Sequence, residues 1–447
     1  MSATPRASVL SIAGSLLLLT ACGSEISAGS DHSRYFPTVG TQPPRRIEHV
    51  VVVIHENRSF DNLFATFPGA DGATAGKMSN GQTVKLKKSN LEYPYDLAHS
   101  WQSYIDDYDG GKMDGFDLEG GGDGHEAGTA PYQYVDPKQI APYWDIAKAY
   151  VLSDHMFQTQ GSGSFTAHQD LIAGGTAINS TESLVDFPSR MPWGCDAPKG
   201  TKTSLLTLQL KYLSLSGPFP CLEYPTLRDL LDAKHISWKY YSPRVQGSTG
   251  AIWNAFEAIK AVRYGPEWSS NVTTSDKLIF HDISRHRLAA MSWLVPDLLN
   301  SDHPGNHSET GPSSVAALVN AIGESSYWDS TAIIVVWDDW GGFYDNKPPP
   351  FHDRSGGLGF RVAMLVVSPY SRQGYVSHTP YEFGSILKFI ENNWNLGHLG
   401  TSDVRATSIG NCFDFTQPPR KFEPIQAKYS RAYFEHQRPS NRPVDTE

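Results

Sequence analysis

Three short runs of apolar residues constrain the fold of this chain more than any other feature of its sequence. They are Val50–Ile54, Ile333–Trp337 and Val362–Val367, and β-branched residues make up much of each run. A strand with one face in water alternates apolar and polar residues, whereas a continuous apolar run is typical of a strand buried on both faces of a parallel sheet. The sequence therefore predicts an α/β fold with a mostly parallel central sheet flanked by helices.

Helices must cover both faces of such a sheet, and the segments between the runs supply candidates. The predicted helices are Thr166–Ala173, Thr226–Ala233, Pro312–Ile322 and Phe383–Glu391. Proline suits the start of the third helix because an N–H group at that position would have no partner within the helix. No repeat or composition break divides the chain after residue 45, so we expect one domain over residues 45–447, with Lys77–Trp144 as a loop-rich insertion.

The N-terminus predicts export. The apolar stretch Val9–Ala21 is too short to span a bilayer but has the length of the core of a signal peptide. It ends in Leu-Thr-Ala-Cys, which resembles the lipobox of bacterial lipoproteins and predicts lipidation of Cys22 after removal of residues 1–21. Residues 22–44 would then form a flexible tether. The alternative is an ordinary secretory signal with Cys22 incidental, and both interpretations place the protein outside the cytoplasm, either anchored to a membrane or periplasmic or secreted.

The net charge and the cysteine content limit which partners and which redox state the sequence predicts. The formal net charge is −10 and no long basic run occurs, so nucleic acid is not an expected partner. Export favours oxidised cysteines, and Cys195 and Cys221 both lie in loop sequence rich in proline and glycine. We therefore expect a disulfide between them, with Cys412 as a free thiol.

Polar residues follow the apolar runs directly. Glu56 and Asn57 come after the first run and offer oxygen ligands of the kind that hard divalent cations prefer. In open α/β sheets, ligands bind at the carboxyl ends of the strands. The alternative is that Asn57 and Ser59 cap the following turn while Arg58 and Asp61 form a surface ion pair.

The second run ends in the adjacent carboxylates Asp338 and Asp339, and the third ends in Ser368 and Pro369. Two carboxylates at the edge of a buried sheet are costly unless a cation or a proton compensates them, so a bound metal is the simplest expectation. Both can reach one ion only if the chain turns, and Gly341 and Gly342 allow that turn. A polar strand end without a ligand is the alternative.

A third polar cluster precedes a predicted helix. In the segment Gln160–His168, glycines precede Ser162 and Ser164, an arrangement that lets the backbone approach an anion and a serine act as a nucleophile. Alternatively, one of these serines only caps the helix.

Two histidines in polar sequence complete the candidates. His99 and His303 could bind phosphate oxygens or protonate a leaving group. The remaining histidines include His281, His286 and His307, which we interpret as surface residues.

Taken together, these segments resemble the bacterial phosphoesterase family that includes non-haemolytic phospholipases C and certain acid phosphatases. The segments that carry the resemblance are Ile47–Phe64, Ser153–Gln169, Ser301–Gly305, Ser330–Pro350 and Gly374–Glu391. They occur in the order found in the family and extend the resemblance over about residues 45–415. The resemblance implies a fold similar to the alkaline phosphatase superfamily.

The resemblance also implies roles for individual residues. A divalent metal, with Mg²⁺, Ca²⁺, Mn²⁺ and Zn²⁺ not distinguished, would bind Glu56, Asn57, Asp338 and Asp339. The nucleophile would be Ser164, with Ser162 as the second choice. Asn57, His99 and His303 would contact the phosphoryl group, and His303 would protonate the leaving alkoxide. Trp340 and Asn346 stand where the family often has histidine.

The function that follows is an exported, metal-dependent phosphoric-ester hydrolase. Cleavage of phospholipids in the manner of a phospholipase C, through a phosphoserine intermediate, is the leading expectation, and the lipid anchor would hold the enzyme at a membrane. An acid phosphatase acting on phosphomonoesters is the alternative within the same chemistry. A non-catalytic surface lipoprotein that binds a phosphorylated ligand is the alternative from another class.

Overall fold

The apolar runs of the sequence become the central strands of one large sheet. The computed structural model describes residues 46–121, 127–244, 251–353 and 356–441; the predicted signal peptide 1–21, Cys22 and the tether 22–44 lie outside these ranges. Within them, the main sheet has nine strands in the order β11-β10-β12-β1-β13-β14-β6-β15, with β16 also paired to β6. Helices flank this sheet, so the predicted α/β class is confirmed.

The strands of the described ranges are, in chain order, β1 (His49–His55), β2 (Ala75–Lys77), β3 (Thr83–Lys85), β4 (Lys87–Ser89), β5 (Gln133–Val135), β6 (Val151–Phe157), β7 (Glu182–Val185), β8 (Ser204–Thr207), β9 (Tyr212–Leu213), β10 (Trp238–Tyr241), β11 (Val272–Thr273), β12 (Met291–Leu294), β13 (Thr331–Trp337), β14 (Arg361–Val367), β15 (Tyr375–Ser377) and β16 (Tyr381–Glu382).

The α-helices of the same ranges are α1 (Phe60–Phe64), α2 (Trp101–Tyr108), α3 (Ala141–Ala149), α4 (Ser164–Ala173), α5 (Leu227–Ala233), α6 (Lys260–Arg263), α7 (Glu267–Ser270), α8 (Leu278–Ser284), α9 (Gly311–Gly323), α10 (Phe383–Trp394), α11 (Ser402–Arg405) and α12 (Arg431–His436). The four predicted helices correspond to α4, α5, α9 and α10, with ends that differ by at most three residues. No helix of the described residues combines the length and apolar content that a bilayer crossing needs.

Strands β1 and β13 form the core of the sheet. They pair in parallel over seven residues, from His49 with Thr331 to His55 with Trp337. The valines and isoleucine of Val50–Ile54 are at most 1% exposed, because helices cover both faces. Burial of each such side chain contributes about 1.5–3 kcal/mol to the free energy of unfolding, which explains why these runs carry no polar residue.

The third predicted strand, β14, runs in the opposite direction to its neighbours. It pairs antiparallel with both β13 and β6, whereas the other pairings in the main sheet are parallel. The sheet is therefore mostly parallel, as predicted, but Ser368 and Pro369 lie at the edge opposite to the polar residues that follow β1 and β13. The prediction that they contribute to the ligand edge is wrong, because an apolar run reveals burial and not direction.

A disulfide joins Cys195 to Cys221, the pairing preferred from the sequence, with Cα atoms 4.4 Å apart. It closes a loop that contains β8 and β9, which form a separate three-stranded sheet with β7 in the order β7-β8-β9. Cys412 is a buried free thiol.

Candidate active site

The carboxyl ends of β1, β13 and β6 meet at one edge of the sheet, and the predicted site residues lie there. Glu56 and Asn57 follow β1, Asp338 and Asp339 follow β13, and Ser164 begins the helix that comes after β6. All five side chains are at most 4% exposed. Groups that lie far apart in the sequence are thus gathered into one buried polar cluster.

Asn57 links the ends of the two central strands. Its backbone lies in the left-handed region, with φ of 52°, a conformation that asparagine adopts more readily than most residues. This turn directs its N–H group to Asp338, whose Oδ1 accepts the hydrogen bond at 3.0 Å. The left-handed turn therefore places the N–H group that holds a carboxylate in position at the site.

The turn after β13 places the second carboxylate. Asp338 Oδ1 also accepts a hydrogen bond from the Asp339 N–H at 2.8 Å, and Asp339 Oδ1 accepts one from the Gly341 N–H at 2.8 Å. Gly341 has φ of 59°, and a Cβ atom at this position would lie 2.4 Å from the carbonyl oxygen of Asn57. Glycine is required here because the turn packs directly on the end of β1.

Ser164 is the first residue of α4, and its hydroxyl donates a hydrogen bond to Asp339 Oδ2 at 3.1 Å. The N-cap of the helix is Gly163, which has no side chain to cap with, so Ser164 does not serve as a cap. Ser162 points elsewhere, because its Oγ accepts a hydrogen bond from the Asp186 N–H at 2.8 Å. Of the two serines, only Ser164 contacts the carboxylate cluster.

His168 also belongs to the cluster, although no role was predicted for it from the sequence. Its Nε2 lies 2.8 Å from Glu56 Oε1 and 3.5 Å from Asp338 Oδ2. Glu56, His168 and Asp338 each offer a ligand atom within 4.8 Å of the other two. The signal was present in the sequence, because residues four apart on a helix lie on the same face, and His168 is four residues after Ser164.

Three buried oxygen atoms in the cluster have no hydrogen-bond partner among the described residues. They are Glu56 Oε2, Asn57 Oδ1 and Asp338 Oδ2. A buried carboxylate or amide oxygen without a partner is unfavourable, and three of them at one place form the donor set that a hard divalent cation prefers. These residues therefore fit a metal ion.

The pKa shifts of two carboxyl groups in the cluster also favour a bound cation. Burial and the nearby charge of Asp338 raise the pKa of Glu56 well above its usual value. Burial opposes ionisation of Asp338 too, but the interaction with His168 outweighs it and lowers the pKa of Asp338 to about 2. The two pKa values shift in opposite directions, so Asp338 ionises before Glu56, and a cation would displace the proton that Glu56 retains longer.

His99 sets the orientation of the Asn57 amide. Its Nδ1 donates to the carbonyl oxygen of Leu97 at 2.7 Å, so its Nε2 is the acceptor for the Asn57 Nδ2–H at 2.7 Å. The amide oxygen of Asn57 is thereby left for a cation. His99 Nε2 also lies 3.8 Å from Asp339 Oδ2, which places this histidine beside the carboxylate that contacts Ser164.

His303 lies on the other side of His99, with Asp96 between them. Its Nε2 is 3.7 Å from Asp96 Oδ2, and Asp96 Oδ1 is 4.0 Å from His99 Nδ1. The His303 ring stacks on Trp253, with ring centres 5.4 Å apart. Burial lowers the pKa of His303 to about 3, so the free enzyme holds it as a neutral ring.

Arg58 and Asp61 do not form a surface pair, so that alternative is wrong. Both are fully buried. Arg58 donates to the carbonyl oxygen of Asp302 at 2.9 Å, whereas Asp61 lies 3.6 Å from Arg361. Burial and the charge of Asp345 raise the pKa of Asp61 to about 8.

Residues next to the site link the polar segment after β1 to the polar segment after β13. Arg361 binds Asp345 through Nε at 2.7 Å, and the Ser59 hydroxyl donates to the Tyr344 carbonyl at 2.8 Å. Ser59 also accepts from the Asn62 N–H as the N-cap of α1, as one interpretation of the sequence predicted.

Two positions where the family often has histidine hold side chains that form hydrogen bonds within the fold. Trp340 is buried and donates from Nε1 to Asp107 at 2.9 Å, and Asn346 accepts a hydrogen bond from Arg361 at 2.7 Å. His281, His286 and His307 are exposed, as expected for surface residues.

Two other clusters of the described residues could hold a metal by composition, namely Asp154 with His155 and His378, and Glu391 with His398 and Asp403. Each includes an exposed histidine, whereas Glu56, His168 and Asp338 are all buried. In both exposed clusters a histidine Nδ1 already pairs with a carboxylate.

Comparison with known proteins relates this chain to others. The sequence matches the phosphoesterase family over residues 47–397. Phospholipase C A of Mycobacterium tuberculosis is 26% identical over an alignment that covers 85% of this chain and 79% of that protein. Non-hemolytic phospholipase C of Pseudomonas aeruginosa is 24% identical, with 83% of this chain and 58% of that protein covered.

Among solved structures, a protein in the alkaline phosphatase superfamily from Vibrio parahaemolyticus aligns with 80% of this chain. The alignment covers 70% of that protein, at 9% identity and a TM-score of 0.37.

Proposed function

Because this chain belongs to the phosphoesterase family and is a hydrolase of phosphoric esters, we propose that it cleaves phospholipids as a phospholipase C does. The reaction would release diacylglycerol and a phosphorylated headgroup, through a phosphoserine on Ser164. The observation that carries the proposal is the contact of the Ser164 hydroxyl with Asp339, beside three buried oxygens that suit a cation. Two of the relatives reported above are named phospholipases C, which supports a phospholipid as the substrate.

A divalent metal would be held by Glu56, Asn57, Asp338 and Asp339. When bound, such an ion lowers the pKa of a neighbouring hydroxyl and neutralises charge on phosphoryl oxygens. The side chains of this chain prepare the position: Asn57 and Gly341 fix the two aspartates, and His168 donates a hydrogen bond to Glu56.

Ser164 is the proposed nucleophile. Its Oγ forms a bond to phosphorus as the bond from phosphorus to the diacylglycerol oxygen breaks, and Asp339 Oδ2 is placed to accept the hydroxyl proton. Water then attacks the phosphoserine and gives its proton to His303, the bond between phosphorus and Ser164 Oγ breaks, and Ser164 takes back the proton held by Asp339. Burial of the site limits competing access of bulk water.

His303 is the proposed proton donor to the leaving alkoxide. Its ring is neutral in the free enzyme, and a bound phosphoryl anion would favour its protonated form because opposite charges at short range stabilise each other. Asn57 would contact the phosphoryl oxygens through the second N–H of its amide, and His99 would do so once Nε2 carries a proton and becomes a donor.

A substrate panel tests this function. Purified protein supplied in turn with Mg²⁺, Ca²⁺, Mn²⁺ or Zn²⁺ is incubated with phosphatidylcholine and with a soluble phosphomonoester. We expect diacylglycerol and phosphocholine from the first substrate. Release of inorganic phosphate from the monoester with no diacylglycerol would instead identify an acid phosphatase, and turnover of neither substrate would contradict both functions.

We further propose export with a lipid anchor on Cys22. The disulfide between Cys195 and Cys221 supports an oxidising compartment. Metabolic labelling with a radioactive fatty acid tests the anchor: the full chain should incorporate label and the Cys22→Ser variant should not.

A further inference from the structure

The loop closed by the disulfide carries a hairpin whose first strand is buried and whose second strand is partly exposed. Cys195 and Cys221 enclose residues 196–220, which we call the disulfide loop, and within it β8 and β9 pair antiparallel through Leu205 with Leu213 and Leu206 with Tyr212. The crosslink ties the two ends of the loop together.

The outer part of this hairpin is apolar. Leu210 is 38% exposed, Tyr212 is 40% exposed and Leu215 is 44% exposed, all within six consecutive residues. Single exposed apolar residues are common, but three so close together indicate a contact surface.

The two exposed leucines also have an unfavourable backbone. Leu210 has φ of 58° and Leu215 has φ of 47°. Glycine or asparagine would adopt this left-handed conformation with less strain. Leucine at both positions therefore indicates that these side chains serve an external contact rather than the fold.

The charge of the disulfide loop is opposite to that of the whole protein. The segment 199–216 contains Lys199, Lys202 and Lys211 and no acidic residue, in a chain of net charge −10. All three lysines are exposed. With Asp196 counted, residues 196–220 hold three lysines and one acidic residue, so the loop that carries the apolar hairpin has a net positive charge.

This loop is connected to the candidate active site. Strand β7, which pairs with β8, ends next to Asp186, whose N–H donates to Ser162 two residues before Ser164. On the inner side of the hairpin, Leu206 packs in the same apolar cluster as Trp340, the residue after Asp339. A surface that docked on this hairpin would lie beside the element that carries the nucleophile.

We propose that the disulfide loop docks on the surface of an anionic lipid bilayer. Leucine and tyrosine entering the interface, with lysines over anionic headgroups, are the features of an interfacial membrane anchor. Three apolar side chains on a narrow hairpin offer little area for a stable protein interface, so a bilayer is the favoured occupant. The biological meaning of this docking rests on the proposed phospholipase function, but the binding itself does not.

Vesicle co-sedimentation tests the proposal without turnover. The full-length chain carries Cys22→Ser and Ser164→Ala, so that neither lipidation nor hydrolysis contributes. We expect binding to vesicles that contain phosphatidylglycerol, weaker binding to phosphatidylcholine vesicles, and release as NaCl is raised from about 0.1 M to about 0.5 M. Adding Leu210→Asn and Leu215→Asn should reduce the partition coefficient about tenfold or more, whereas Leu118→Asn, at a residue 62% exposed elsewhere, should not change it.

Amide hydrogen exchange provides a second readout. Vesicles should protect residues 207–216 in the parent and not in the double leucine variant. Equal partition of the parent and the double variant would overturn the proposal, as would equal binding to both kinds of vesicle or protection confined to other segments. Because no step here requires catalysis, failure of this test would leave the substrate panel unaffected, and the reverse also holds.

Discussion

Ser164 and His168 lie one turn apart on α4, and together they bring a hydroxyl and an imidazole to the carboxylates at the end of the sheet. The hydroxyl contacts Asp339 and the imidazole contacts Glu56. The helix thus supplies the proposed nucleophile and a group that contacts one proposed metal ligand. Loss of an outer hydrogen bond of this kind typically lowers metal affinity or activity about 10–100-fold.

Replacing Ser164 by Ala should lower kcat by several orders of magnitude, because no other hydroxyl at this position can attack phosphorus. Metal content and the unfolding temperature should stay near those of the parent. Turnover of phosphatidylcholine and elemental analysis of the purified variant check this prediction.

Ser162→Ala is the matched control, since Ser162 bonds to Asp186 and not to the carboxylate cluster. Its kcat should fall by less than about tenfold. Equal losses in the two variants would argue against Ser164 as the nucleophile.

The location of Glu56 and Asp338 at the site edge could be predicted from the sequence because each directly follows an apolar strand. Their role as metal ligands stays a prediction. His168 was missed because its role depends on how α4 is rotated about its axis, and that rotation is set by tertiary packing.

At the scale of elements, the turn after β13 joins the two polar strand ends. Gly341→Ala should destabilise the protein for two reasons: φ is positive, and the new Cβ atom would meet the carbonyl oxygen of Asn57. We expect a decrease in the free energy of unfolding of about 2–4 kcal/mol, with weaker metal binding because Asn57 and Asp339 would shift.

The variant Gly400→Ala separates the effect of a positive φ from the effect of close packing. Gly400 has φ of 83°, and a Cβ atom there would have no neighbour within 4 Å. Urea denaturation should show a loss of about 1–2 kcal/mol for this control. If Gly341→Ala cost no more than Gly400→Ala, close packing of the turn on β1 would be refuted.

The hairpin of the disulfide loop should gain stability when its strained leucines are replaced. Leu210→Asn and Leu215→Asn relieve a left-handed backbone that leucine adopts poorly, and each should raise the free energy of unfolding by up to about 1 kcal/mol. Chemical denaturation under oxidising conditions measures this. A loss of stability in both variants would show that the leucine side chains support the fold rather than an external contact.

Strand direction is the element property that the sequence did not reveal. The runs of β1, β13 and β14 have the same apolar character, yet β14 is reversed. As a result the amino end of β14, with Arg361, reaches the site edge, and its Asp345 partner was not anticipated. Topology depends on the connections between strands, which hydropathy does not describe.

At the scale of the whole molecule, burial controls the electrostatics of the site. The raised pKa of Glu56 means that the metal-free protein takes up a proton on folding at pH values above the ordinary value of 4.5. Since the folded state then binds more protons than the unfolded state, this group lowers stability as pH rises from that value through the raised pKa.

Metal binding should therefore release a proton and depend on pH. Below the raised pKa of Glu56, affinity should fall by up to about tenfold for each unit decrease in pH. Calorimetric titration with Mn²⁺ in buffers of different ionisation enthalpy counts the protons. Glu56→Gln should abolish the release, and identical affinity for the parent at pH 5 and pH 8 would contradict the role of this group.

The central claim is that residues distant in sequence form one cation site beside Ser164. An anomalous difference map from a crystal soaked in Mn²⁺ tests it most directly. We predict a strong peak bonded to oxygens of Glu56, Asn57, Asp338 and Asp339 and adjacent to Ser164 Oγ. A peak confined to the cluster of Asp154, His155 and His378, with none beside Ser164, would contradict the claim.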